Sequence, residues 1–384
     1  MGKLWSFKTL PVAFTAATLV CATVDDSAKD AAPYHNEQAA YGIGFHSFRI
    51  PTTVTTSTGR ILTFSEGRRH DNRDFDDINL VYKRTKTTID HGIDPSDWEG
   101  LQEVVGKGNG TWGNPTAVVD GSTTYLFLSW NSGDYSQNGG DTLPSGIKTK
   151  KIDSTWEGRR HLYPTQSTDD GKTWAEHTDM TKQLTPKSWS WDAVGPGSGI
   201  TMRSGEVVIP ATGRNIVGRG VSGKRTWSYQ SLRGAGAEGT ITQNPGWQLP
   251  AVRSPLLVHL RWTTVSLTPR ARGQRCCTTS ADAKGPERTI FLNSADKDSR
   301  RTMMVRISYD ADADMFYHGR ELSDGSISGV GLEGGYSSMT KTADFKIGAL
   351  VEADWYQIDG SNDDHRAIVW RRFNLSWMLN RPKS

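Results

Sequence analysis

Arg49 stands between apolar residues in Phe48-Arg49-Ile50-Pro51, at the start of a β-rich run. A buried guanidinium needs an anionic partner. That partner is either structural or a ligand carboxylate held by the two parallel donors of the arginine fork, and the tetrapeptide leaves both readings open. Downstream, Glu66-Gly67-Arg68-Arg69-His70-Asp71-Asn72-Arg73-Asp74-Phe75-Asp76-Asp77-Ile78-Asn79-Leu80 is a dense loop of charges that runs back into a strand. Asp74 sits there among Asp71, Asp76 and Asp77, so a solvated acidic loop is one reading of it. Three later segments place ionisable residues among turn-like neighbours: Gly236-Ala237-Glu238-Gly239, Ser299-Arg300-Arg301 and Gly334-Gly335-Tyr336-Ser337-Ser338-Met339. Their plain readings are a surface glutamate, two arginines on opposite sides of a strand, and a tight-turn tyrosine. Gly113-Asn114-Pro115 and Gly195-Pro196-Gly197-Ser198-Gly199 complete the set.

The elements that must position these side chains are short strands. Arg60–Phe64, Thr124–Trp130, Glu206–Pro210 and Arg366–Trp370 are β-rich runs separated by Gly, Asn and Asp clusters, the pattern of an all-β protein. Ser167-Thr168-Asp169-Asp170-Gly171-Lys172-Thr173-Trp174 predicts a hairpin turn. In it Asp169 accepts backbone N–H bonds, Gly171 takes a positive φ, and Trp174 buries its ring beneath the hairpin. It is scaffold and not chemistry, or else a single isolated hairpin. A decayed copy spans Ser308–Phe316 and a weaker candidate runs from Arg84 to Trp98; unequal spacing suits blades with variable loops.

The 384 residues carry 45 Lys+Arg against 42 Asp+Glu, so net charge implies no polyanionic partner and no nucleic acid. Residues 1–22 read as a secretory signal: Lys3 and Lys8, an apolar run from Leu10 to Val20, then Val20-Cys21-Ala22. The run is short for a membrane span, so no membrane association is expected and the mature chain, 23–384, is expected outside the cell. Asn109-Gly110-Thr111 and Asn374-Leu375-Ser376 are glycosylation sequons usable on that route. Cys276 and Cys277 are adjacent and do not form a comfortable mutual disulfide. No zinc pattern is present, and neither metal nor organic cofactor is expected.

One stretch does not fit. Gly239–Ala281 has no Asp or Glu, yet holds Arg253, Arg261, Arg270, Arg272 and Arg275 with both late cysteines. It is either a basic surface insertion or the product of a reading-frame error or mis-predicted intron, with residues 243–283 as its anomalous heart.

Taken in order, these motifs resemble the sialidases of glycoside hydrolase family 33, most closely their filamentous-fungal branch, over roughly residues 31–242 and 284–377. The resemblance implies a six-bladed β-propeller whose hairpins are Asp-box turns, and a retaining exo-α-sialidase acting on terminal sialic acids (Neu5Ac, Kdn or both) of glycans, glycoproteins or glycolipids. It implies that Arg49 and Arg300 grip the substrate carboxylate and that Glu352 orients Arg49. Asp74 becomes the general acid/base, Tyr336 the nucleophile and Glu238 the base that takes its proton. Arg68 and Asn114, with Glu66, Trp112 and Trp191, are pocket candidates. The family's second carboxylate-gripping arginine stands in an N-x-R setting that is missing here; Arg253 lies near the expected distance, but in Pro250-Ala251-Val252-Arg253. The alternative is therefore an impaired propeller that binds sialic acid without turnover.

Overall fold

All four β-rich runs form strands, with Arg60 alone falling just ahead of its strand, and neighbouring strands pair antiparallel almost throughout. The structure is a computed structural model describing residues 29–34, 44–106, 108, 110–185, 187, 189–201, 206–214, 227–233, 240–242, 274–278, 288–296, 300–309, 316–322, 330–356 and 362–379. Glu238, Arg253, residues 1–22, Asn109, residues 243–273 and the centre of the Ser308–Phe316 segment lie outside them.

β1 (Lys29–Tyr34) comes first in the chain but joins the last sheet. β2 (Ser47–Thr55), β3 (Ile61–Arg68), β4 (Ile78–Arg84) and β5 (Gln102–Val105) form one meander. β6 (Gly110–Asp120) and β7 (Thr123–Ser132) form a second; between β7 and its next strand lies a loop clipped by β8 (Tyr135–Ser136) and β9 (Lys150–Lys151), and β10 (His161–Ser167) completes it. These two meanders touch through a single parallel pair, Ile78 with Thr111. A third comprises β11 (Trp191–Val194), β12 (Ile200–Thr201), β13 (Glu206–Arg214), β14 (Trp227–Arg233) and β15 (Thr240–Thr242). A fourth comprises β16 (Gln274–Thr278), β17 (Arg288–Ser294), β18 (Met303–Ser308) and β19 (Tyr317–Glu321). The last comprises β20 (Val330–Lys341), β21 (Ile347–Tyr356) and β22 (Asn362–Phe373), with β1 on the edge of β22.

The cores lie between consecutive sheets. Phe64, Leu80 and Tyr82 of the first meet Leu126 and Leu128 of the second. Val118 and Phe127 of the second meet Val194, Val207 and Ile209 of the third. Ile290, Val305 and Ile307 of the fourth meet Met339 and Val351 of the last. Phe48, Ile61 and Val81 of the first meet Leu350, Ile368 and Trp370 of the last, which joins the first and last sheets in one core. Sheets packed face to face in succession, with the last returning onto the first, make a propeller; the described residues do not number its blades at six.

The Ser167–Trp174 turn forms as the sequence predicts. Asp169 accepts from Thr173 N at 2.9 Å and Thr173 Oγ1 at 2.7 Å, Ser167 Oγ accepts from Gly171 N at 2.9 Å, and Gly171 has φ 76°. The Trp174 ring reaches across to the first meander, edge-on to Phe64 and Tyr82 at 5.5 and 5.9 Å. In the weaker candidate, Trp98 is buried and packs edge-on against Trp370 at 5.9 Å.

Candidate active site

The site is built on interruptions of regular strand. β2 bulges between Arg49 and Thr52, and Ile50 is forced to φ 57°, an unfavourable conformation for a β-branched residue before proline. The bulge frees the Ile50 N–H, which donates to Glu352 Oε1 at 2.9 Å. β6 repeats the device: it bulges between Gly113 and Thr116, Asn114 has φ 53°, and its N–H donates to Glu66 Oε1 at 2.8 Å. In both strands a positive-φ residue before proline aims a backbone donor at a buried glutamate.

Glu352, on β21 and fully buried, is the hub. Its carboxylate accepts from Arg49 Nε at 3.2 Å and Nη2 at 3.3 Å, a bidentate grip, and from the Tyr336 N–H at 2.9 Å. A Cβ on Gly335 would lie 2.2 Å from Glu352 Oε2, so only glycine lets β20 approach this closely, and its φ of 126° suits no other residue. One carboxylate thus fixes both a guanidinium and the backbone of Tyr336. The Arg49 guanidinium lies 5.8 Å and that of Arg300 4.8 Å from the Tyr336 ring centroid. Arg300 is half-buried while Arg301 is exposed, which separates the adjacent pair.

Asp74 tops the charged loop. Its Oδ1 meets Arg68 Nη2 at 2.7 Å and Arg49 Nη1 at 3.4 Å. Burial of the carboxylate among protein atoms pulls its pKa up, but Arg68 and Arg49, with Arg160 behind them, outweigh this and hold it at about 2. The side chain is 73% exposed, so water screens much of that field. Arg68 is itself buried and paired to Glu66 Oε2 at 2.5 Å. The other aspartates of the loop are committed elsewhere: Asp71 to Arg73, Asp76 to His70 at 2.6 Å, and Asp77 to Arg69 at 3.3 Å.

The structure therefore brings Arg49, Arg68, Asp74, Arg300, Tyr336 and Glu352 together, with Glu66 and the Asn114 backbone behind them. Glu238 lies outside the described residues. Trp112 belongs to the packing and not to the rim, edge-on to Tyr163 and His177 at 5.0 Å each. Sequence reasoning missed Arg160. It is buried beside Glu66 and Asp74, with its guanidinium over the Trp191 ring at 4.7 Å; burial lowers its pKa to about 10, still charged at neutral pH. It also missed Asp192, whose burial raises its pKa to about 6 against a 2.6 Å bond from Thr185 and the fields of Arg159 and Arg160. Arg159-Arg160 directly ahead of a strand was the available signal.

Residues 50–231 match the BNR repeat-like domain family. A relative named exo-alpha-sialidase from Aspergillus fumigatus is 58% identical over 94% of this chain and 95% of its own length. A second so named, from Arthroderma benhamiae, is 56% identical over 100% of this chain and 99% of its own. Among solved structures, the Hadza microbial sialidase Hz136 superposes with a TM-score of 0.58 at 17% identity, covering 90% of this chain and 68% of that one. Trypanosoma rangeli sialidase in complex with the inhibitor DANA gives 0.57 at 15% identity, over 87% of this chain and 56% of that one. The sheets and the ring of cores are those of the sialidase β-propeller. With relatives this similar along their whole length, the chain belongs to the exo-alpha-sialidases, a family of glycoside hydrolases.

Proposed function

We propose that this chain is a retaining exo-α-sialidase that releases terminal sialic acids, Neu5Ac or Kdn, from glycoconjugates through a glycosyl-tyrosine intermediate. The observation that carries this reading is the Glu352 hub, which holds a carboxylate-gripping arginine and the backbone of Tyr336 on one anchor. The anomeric carbon of a sialic acid bears a carboxylate. Arg49 and Arg300 receive that carboxylate and orient the ring. A carboxylate nucleophile would meet like charge there, whereas a phenol approaches neutral.

In the first step Tyr336 Oη bonds to the anomeric carbon as the glycosidic C–O bond breaks. Asp74 gives its proton to the departing oxygen, and Glu238, by the family resemblance, takes the phenol proton. In the second, Asp74 takes a proton from water, the water oxygen bonds to the anomeric carbon, and the C–O bond to Tyr336 breaks as Glu238 returns its proton. Two displacements give net retention, and tyrosine is the sialidases' known exception among glycosidase nucleophiles. The leader at 1–22 would deliver the enzyme outside the cell.

The test is hydrolysis of fluorogenic aryl α-glycosides of Neu5Ac and Kdn, with the first-formed anomer read by proton NMR. The α anomer appearing first supports the reading, and the β anomer first overturns retention. Tyr336→Phe should lower kcat by about a thousandfold or more while circular dichroism stays unchanged. Binding of free sialic acid by the wild type without any turnover would instead establish a binding propeller.

A further inference from the structure

Asp74 occupies the apex of the loop 69–77, and most of that loop is anchored at its feet. Arg69 N donates to Asp77 O at 3.2 Å, Ser47 Oγ to Asp71 O at 3.1 Å, and Thr111 Oγ1 to Asp76 O at 2.9 Å. At the apex the anchoring passes to Arg73, next to Asp74 in the chain. Its own N–H donates to Asp71 Oδ1 at 2.8 Å and its Nε to Asp71 Oδ2 at 2.6 Å. The guanidinium lies over the ring of buried Phe75 at 4.5 Å, so Asp74 is flanked by two residues clamped to each other. Arg73 Nη1 then leaves the loop and donates to Thr142 O at 2.7 Å.

Thr142 belongs to the loop clipped by β8 and β9, which is not a slack partner. Ser136 Oγ meets Thr149 Oγ1 at 2.8 Å, Asp141 N donates to Thr149 Oγ1 at 3.0 Å, Thr149 N returns a bond to Asp141 O at 2.8 Å, and Thr142 bridges Lys148. Leu143 of this loop is buried. The Arg73–Thr142 bond therefore ties the apex of a first-sheet loop to a braced loop of the next sheet.

We propose that Arg73 is a positioning residue: through Asp71, Phe75 and Thr142 it holds Asp74 where it can reach the leaving-group oxygen. The proposal rests on Asp74 acting as the acid. A misplacement of about 1 Å in a catalytic group can lower a rate about a hundredfold, and that loss concerns proton delivery alone. General loosening of the site would slow every substrate alike.

The experiment compares kcat/KM, which reports the glycosylation step, for an aryl glycoside with a good leaving group and an alkyl glycoside with a poor one. Arg73→Ala should lose roughly 10–100-fold on the alkyl substrate and less than about threefold on the aryl one. Arg73→Lys, which restores a cation with one point contact, should recover part of the alkyl rate. Equal losses on both substrates, or none on either, overturn the proposal. If Arg73→Ala does not fold, Asp71→Asn decides, since it keeps Arg73 and removes one of its anchors; it should show the same selective alkyl loss, and an unselective one overturns the proposal. Asp74→Asn separates the two layers. If it discriminates between the substrates and the Arg73 variants do not, only the positioning role fails. If it does not discriminate, the acid assignment fails and the proposal falls with it.

Discussion

At the scale of the residue, the four aspartates of the charged loop differ only by their partners. In sequence they are equivalent, and only the family resemblance picks out Asp74. In space Asp71 and Asp77 pair with arginines of their own loop and Asp76 with its His70, while Asp74 faces Arg68 and Arg49, which come from two different strands. This has a consequence for protons. With its pKa held below the ordinary carboxylate value by Arg68 and Arg49, Asp74 is ionised in the free protein at neutral pH. A ligand carboxylate seated on Arg49 takes a cation away from Asp74, and losing a cation raises a carboxylate's pKa. Binding of a sialic acid near pH 4 should therefore be accompanied by uptake of a fraction of a proton, on the order of 0.5. Isothermal titration in two buffers of different ionisation enthalpy reads this directly. Zero uptake, or release, would mean that Arg49 and Asp74 stay paired in the complex and that proton delivery does not begin with carboxylate capture. Arg160 and Asp192 show the limit of residue-level reading. Arg160 is buried beside Glu66 and Asp74, and Asp192 is buried in the field of Arg159 and Arg160; no local spacing encodes that Arg160 meets partners so distant in the chain.

At the scale of the element, turns and bulges do what the regular strands do not. The Ser167–Trp174 turn was legible because its requirements are local: an acceptor, a positive φ and a ring within one octapeptide. What the sequence could not say is where the ring goes. Trp174 lies against Phe64 and Tyr82, so the hairpin of the second meander is a wedge between two sheets as well as a turn. Trp174→Ala should thus lower stability by about 2–3 kcal/mol, at or just below the range of about 3–5 kcal/mol for aromatic truncation because the ring is half-buried. It should leave kcat/KM unchanged, since the site residues sit on other turns. A urea melt gives the first and aryl-glycoside kinetics the second; a kinetic defect without a shift in midpoint would place the ring in the wrong role. The bulges at Ile50 and Asn114 were only half legible. Ile-Pro and Asn-Pro could be read as chain breaks, but the positive φ before each proline exists because a buried glutamate waits for the freed N–H, and that glutamate is invisible from either tripeptide.

At the scale of the whole molecule, the ring of sheets was readable from strand content and motif order, and its fastening was not. The acid-free stretch looked foreign to a β protein, yet strands begin and end it: Thr240–Thr242 pairs with β14, and Gln274–Thr278 pairs with β17, setting Cys276 opposite Ile290 and Cys277 opposite Thr289. The ring closes elsewhere. β1 pairs Lys29 with Arg372, Asp30 with Arg371, Ala31 with Trp370 and Tyr34 with Ile368. Ile368 is in turn the partner of Glu352 across β21 and β22, and Trp370 lies in the core shared with the first sheet. The chain's first strand therefore braces the sheet that carries both Glu352 and Tyr336. A few ladder hydrogen bonds at about 0.5–1.5 kcal/mol net each contribute about 2 kcal/mol. Starting the chain after Tyr34 should then lower Tm by roughly 3 °C, a small shift because the unfolding entropy of so long a chain is large. It should also raise KM for the aryl glycoside, because the exposed edge of β22 loosens the carboxylate that aims Arg49. A truncated protein with unchanged Tm and unchanged KM would show that the last sheet holds its shape without β1, and that the core joining Phe48 to Trp370 closes the ring alone.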